Sequence, residues 1–148
     1  MNKKTMDDII KTMEEWFAKF PALPKNARDT LANIAPIIAL IFGILGIIVA
    51  LGGIGTMITT LPLGVLAGIS RTYGTGILDS LFYLASSALL LSAYTGLKAK
   101  KIAGWNLLFW SEVVGLIGGV VSYSGIVSAI IGALIGFYIL FQIKSYYK

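Results

Sequence analysis

Residues 30–70 read TLANIAPIIALIFGILGIIVALGGIGTMITTLPLGVLAGIS, and not one of them carries a charge. A bilayer's hydrocarbon is ~30 Å thick and a helix rises ~1.5 Å per residue, so about 20 apolar residues cross it. Runs of roughly 18 or more such residues with few charges are the mark of a transmembrane helix. Two further charge-free stretches follow, between Asp79 and Lys98 and between Glu112 and Lys144. Charged residues make up only 13% of the 148-residue chain, against roughly 25% in water-soluble domains.

The pattern predicts an all-α polytopic membrane protein, a four-helix transmembrane bundle with spans at about 34–51, 77–97, 102–121 and 126–143. The intervening GGIGTMITTLPLGVLAGISRTYGTG, residues 52–76, is apolar enough to raise the question of a fifth span. Positive charge decides against it, because cytoplasmic loops collect lysine and arginine. With four spans and the N-terminus inside, eleven of the twelve Lys and Arg residues face the cytoplasm and only Arg71 lies outside; a fifth span over 54–70 leaves seven inside and five outside. The aromatic residues agree, with Tyr94, Trp105, Tyr146 and Tyr147 at one interface and Tyr73 and Tyr123 at the other. Residues 52–76 are then expected to form an interfacial or re-entrant segment on the outer side, bent at Pro62.

Before the first span, Met6, Ile9, Ile10, Met13, Trp16, Phe17 and Phe20 recur at helical spacing, with Asp7, Asp8, Lys11, Glu14, Glu15 and Lys19 between them. That spacing predicts an N-terminal amphipathic interfacial helix, stopped by Pro21. Interfacial helices usually have a basic polar face. This one is acidic, so docking on a partner is an equal expectation. Residues 21–30, PALPKNARDT, read as a proline-punctuated linker. The N-terminus lacks the apolar core of a cleavable signal. Small size and the lack of an organellar presequence point to a bacterial plasma membrane, and the charge count puts both termini on the cytoplasmic side.

The chain has no cysteine and no histidine. Disulfides, Cys/His zinc sites, histidine haem ligands and Ser-His or Cys-His catalytic pairs are thereby excluded, and no metal or cofactor is expected. The formal charge of +5 comes from lysines flanking the spans. It is a topology signal, so the expected partners are the lipid bilayer and other membrane proteins or further copies of the chain, not nucleic acid.

Small residues four apart let helix backbones approach closely in lipid. Ser111, Gly115 and Gly119 in the third span and Ser128, Gly132 and Gly136 in the fourth form two such rows, predicting a close antiparallel hairpin. The same rows could serve self-association.

Two acids lie inside the spans. Asp79 is in the first turn of the second, near the outer surface, with Arg71 close enough in sequence to pair with it. Glu112 lies about ten residues into the third, ~15 Å deep, where an ionised acid costs about 2.5–3.5 kcal/mol on insertion scales. Leu108, Gly115 and Gly119 share its face, so it should point into the bundle. No lysine or arginine stands at its depth. Ser86 and Ser87 do, with Tyr83 and Tyr138 within about a helical turn of it, which predicts a mostly protonated carboxyl hydrogen-bonded to a serine or tyrosine.

Two functions follow. The first is a structural or accessory membrane protein that binds other membrane proteins or itself through small-residue helix faces. The second is an oligomeric small channel or proton-coupled transporter titrating at Glu112, since an intramembrane acid is a functional hypothesis by default. Small multidrug transporters have four spans and one such acid, but theirs lies in the first span and this one in the third. Enzymatic activity is not expected, because no nucleophile–base pair is present.

Overall fold

The computed structural model describes residues 3–68, 70–121 and 125–148, with side chains over 5–68, 74–121 and 125–148. Five helices follow one another: α1 (Lys3–Phe17), α2 (Lys25–Leu66), α3 (Ser70–Lys98), α4 (Ile102–Val121) and α5 (Ile126–Ile143), with a closing 3-10 turn at Lys144–Tyr146. Four segments, Lys25–Leu66, Gly74–Lys98, Ile102–Val121 and Ile126–Tyr146, are long and apolar enough to cross a membrane. The four-helix transmembrane bundle read from the charge gaps is the architecture found.

The first span differs from expectation at both ends. α2 begins at Lys25, inside the stretch read as linker, and does not stop at Leu51. It runs for 42 residues through Pro36 and Pro62, ~63 Å at 1.5 Å per residue and about twice the hydrocarbon thickness. Residues 52–66 are therefore a continuation of α2, neither a separate surface helix nor a re-entrant break, and α3 takes up the rest of the expected segment from Ser70. The physical reason is the charge-free run itself. Without water to pair exposed amides, the helix is the conformation that satisfies the backbone, even through glycine and proline. Thr56, Thr59 and Thr60 likewise turn their hydroxyls back onto the carbonyls of Gly52, Gly55 and Thr56 at 2.7–3.0 Å.

α2 and α3 form an antiparallel pair in a single register: Gly43 lies against Leu91, Gly46 against Ser87, Gly53 against Ser80 and Met57 against Gly76. α2 presents its small residues to the bundle, burying Ala32, Ala35, Ala39, Gly43, Gly46 and Ala50. α4 packs on α3 with Gly104 against Gly96 and Gly118 against Phe82. Extending that register, α4 ends level with Asp79, and the last dozen or so residues of α2 continue ~18 Å past it.

The lysine-rich end is held by an orphaned carbonyl. Pro36 has no N–H to give to the carbonyl four residues earlier, that of Ala32. Two groups from elsewhere fill the gap: Lys100 Nζ donates to Ala32 O and the Tyr147 hydroxyl donates to it at 3.2 Å. Lys100 also donates to Asn33 Oδ1 at 3.1 Å. Its backbone has φ 54°, the left-handed position after a helix that glycine usually occupies. The surrounding bonds fit that motif, Lys101 N–H to Gly96 O at 2.9 Å and Lys100 N–H to Leu97 O at 3.1 Å. The C-terminal residues complete the clasp, Lys148 N–H donating to Lys100 O at 3.0 Å and Ile102 N–H to Lys148 O at 2.8 Å. Burial pushes the Tyr147 hydroxyl up to about 12 and lowers Lys100.

α1 turns Ile10 and Phe17 inward while Asp7, Asp8, Lys11 and Glu15 stay exposed. The Phe17 ring stacks on Phe141 of α5 at 5.4 Å and lies 6.3 Å from Phe137. Glu14 pairs with Lys144, Tyr138 donates to Pro21 O at 2.7 Å, and Leu23 N–H donates to Gln142 Oε1 at 3.1 Å. The helix does not seal against the bundle. A crevice of about 350 Å³ remains between Met13 and Trp16 on one side and Leu116, Ile130 and Leu134 on the other. Phe17 is thus the main apolar anchor, and Phe17→Ala should remove about 1.5–3 kcal/mol of docking free energy. Hydrogen exchange at residues 5–17 should then accelerate while that of α3 and α4 stays unchanged; unaltered protection of α1 would show that other contacts hold it.

Candidate functional site

Glu112 projects from the middle of α4, about ten residues or ~15 Å from its start at the lysine-rich end. Ser111 and Glu112 are neighbours in sequence, but successive residues on a helix point roughly 100° apart, and the two serve different interfaces. Ser111 is buried against α3. It forms a reciprocal pair with Ser86, each hydroxyl donating to the other's carbonyl at 2.9 Å, with the two oxygens 3.0 Å apart. Glu112 is turned toward α5, where its carboxyl occupies the space a side chain at Gly136 would fill. The absent side chain at Gly136 is what admits the acid there.

Beside that contact the helices splay. A crevice of about 190 Å³ lies between Leu31, Ala35 and Ile38 of α2 and Gly136, Ile139 and Ile143 of α5, with Leu108 and Glu112 of α4 at its floor. Glu112 is half-buried in it. Every other wall residue is apolar, and among the described residues no side chain hydrogen-bonds to the carboxyl. The chain therefore presents an acid, at mid-span, to an otherwise apolar crevice that extends from Leu31 and Ile143 at the lysine-rich end.

None of the partners expected for Glu112 bonds to it. Ser86 is held by Ser111 as above. Ser87 is buried and donates to Tyr83 O at 2.8 Å, directly beneath Gly46 of α2. The Tyr83 ring is exposed, and the Tyr138 hydroxyl is taken by Pro21. The expected serine or tyrosine bond to Glu112 is thus corrected: depth was matched, but the residues face other helices. Asp79 is half-buried near Gly118 of α4; the side chain of Arg71 lies outside the described residues, and with it the expected ion pair.

The small-residue rows divide. Gly115 faces the Ser86 hydroxyl, and Gly119 packs on Ala129 of α5. Ser128 is spent locally, its hydroxyl donating to Gly125 O at 2.8 Å. Gly132 faces open space, with nothing within 4 Å of where a side chain would begin. It contributes nothing to packing inside the bundle.

Three features of the site were not read from the sequence. The α2 wall, Leu31, Ala35 and Ile38, is distant in the chain and apolar like its surroundings. The closest α3–α4 contact is made by Gly104, outside the rows of four. The clasp of Lys100 and Tyr147 on Ala32 did carry a signal, since a proline inside a helix always frees the carbonyl four residues earlier. Comparisons with family models, with curated proteins and with solved structures return no match.

Proposed function

We propose that the chain is a small integral membrane protein of structural or accessory type, which binds other membrane proteins or further copies of itself within the bilayer and catalyses no reaction. The observation that carries this reading is the carboxyl of Glu112, without a hydrogen-bonding side chain among the described residues, in an otherwise apolar crevice. A polar group in hydrocarbon seeks a partner, and helix association in membranes rests on small residues and a few buried polar contacts. The open face of Gly132 on α5 adds surface of the same kind. On this reading the lysine-rich end, with Lys98, Lys100, Lys101, Lys144 and Lys148, lies at the cytoplasmic side of a bacterial plasma membrane. α1 is then an amphipathic helix at that interface, tied down through Glu14 and Lys144. Gentle extraction of the full chain from its native membrane should yield a complex of fixed stoichiometry. A monodisperse monomer, unchanged when concentrated in lipid nanodiscs, would contradict the proposal.

One observation favours a second reading, an oligomeric channel or proton-coupled transporter: Glu112 is half-exposed in a crevice whose lining also includes Leu31 and Ile143 at the lysine-rich end of the bundle. Liposomes decide between the two. If Glu112 is a transport site, proton uptake under a pH gradient appears with the wild type and disappears with Glu112→Gln. The accessory reading expects neither protein to move protons.

A further inference from the structure

Taking the accessory reading as its basis, we infer that the α2–α5 crevice receives a transmembrane helix of a different protein, one carrying a lysine or arginine at mid-membrane depth that pairs with Glu112. Three features narrow the occupant to this class. The first is charge. A carboxyl without a hydrogen-bond donor among the described residues calls for a donor, and in low dielectric a cationic one gives the stronger bond. The second is depth. Glu112 is ~15 Å from the helix end, too deep for the amine of a lipid headgroup, which stays at the interface. No lysine or arginine of this chain stands between residues 29 and 70, 72 and 97, or 102 and 143, so a second copy has no cation to bring to that level. The third is size. The crevice, at about 190 Å³, is smaller than the roughly 300–1,000 Å³ of pockets that enclose small ligands. It has room for one long side chain, and Ala35 is the small residue on its α2 wall.

The pairing would serve both sides. A lone lysine or arginine in a transmembrane helix costs about 2.5–3.5 kcal/mol on insertion scales, and so does the acid. Joined in the crevice, each supplies the other's counter-charge, and Ile38 and Ile139 lie alongside to exclude water. Removing one partner leaves the other charge buried and alone, which makes the contact selective for cation-bearing helices.

The test uses the full chain in lipid bilayers with two synthetic helices of about 20 leucine and alanine residues, one with a central lysine and one with norleucine in its place. The chain contains no cysteine, so a single dye can be placed at Ser145→Cys and association read by energy transfer to a labelled peptide. The lysine peptide is expected to associate about tenfold to a hundredfold more tightly than the norleucine peptide, the range for one charged hydrogen bond. Glu112→Gln should erase the difference, and Ala35→Leu, which fills the crevice but keeps the acid, should weaken the lysine peptide's binding. Equal binding of both peptides to the wild type, or a lysine preference that survives in Glu112→Gln, overturns the inference. Equal binding that Ala35→Leu abolishes overturns it too, but leaves the accessory reading standing with an uncharged helix as the guest. Failure of both peptides to bind overturns the inference, and the accessory reading then falls or stands on whether the chain purifies alone.

Discussion

Replacing Gly104 with valine should leave no stably folded bundle. A side-chain carbon at Gly104 would collide with the backbone of Gly96 and Leu97, and one at Gly96 would lie 2.6 Å from the Gly104 Cα and 2.7 Å from its amide nitrogen. Both obstacles are main chain. The two helices are joined just beyond by the tight Ala99–Lys101 turn, whose own hydrogen bonds fix their separation. Overpacking a core usually costs about 1–3 kcal/mol because side chains can move aside; here nothing flexible is in the way, so the cost should reach about 3 kcal/mol or more. Size-exclusion profile and helical circular dichroism on heating in detergent should show aggregated or early-melting material. Gly132→Val is the matched control. With nothing within 4 Å of that glycine, its stability should stay within about 0.5 kcal/mol of wild type. A Gly104→Val protein that melts like wild type would refute the α3–α4 register.

The second large effect is expected at Trp105. It is fully buried, its indole N–H donates to Leu140 O at 2.9 Å, and its ring stacks on Phe109 at 5.6 Å. Lys144 Nζ lies 5.3 Å from the ring centre. The Leu140 carbonyl is available because the chain tightens into a 3-10 turn there, the N–H of Lys144 bonding to Phe141 O. Trp105→Ala removes the ring, leaves a void between α4 and α5 and orphans that carbonyl, for a loss of about 3–5 kcal/mol. Trp105→Phe keeps most of the volume and should lose roughly the orphaned carbonyl alone, about 1–3 kcal/mol. Chemical or thermal unfolding in detergent should rank the proteins wild type, Phe, Ala. If alanine and phenylalanine variants are equally destabilised, ring packing is not what joins α4 to α5.

What was legible in the sequence is what depends on solvent. Charge gaps after Asp29, Asp79 and Glu112 located the spans because a charge in hydrocarbon is costly whatever the fold, and the depth of Glu112 followed by counting residues. Its direction did not. Leu108, Gly115 and Gly119 suggested one common face, yet Gly115 meets α3 and Gly119 meets α5, so that face straddles two neighbours. Which helix a given angle points to depends on how the four are arranged, and no local pattern encodes that. Residues 52–76 misled for a different reason. Pro62 was expected to bend a separate interfacial or re-entrant segment, whereas with apolar neighbours on both sides the helix continues through it. The Ala32 clasp was half-legible, since Pro36 announced a free carbonyl, while Lys100 and Tyr147 lie 68 and 115 residues away in the chain.

The central claim, that the α2–α5 crevice over Glu112 holds a protein helix, is tested most directly by photo-crosslinking in the native membrane. A photoreactive residue is placed in turn at Ile38 and Ile139 on the crevice walls and at Ile48, which is 62% exposed on α2 outside it. The account predicts one discrete protein adduct of the same mass from both wall positions, lost in Glu112→Gln, and only lipid adducts from Ile48. Lipid adducts alone from all three positions would contradict it.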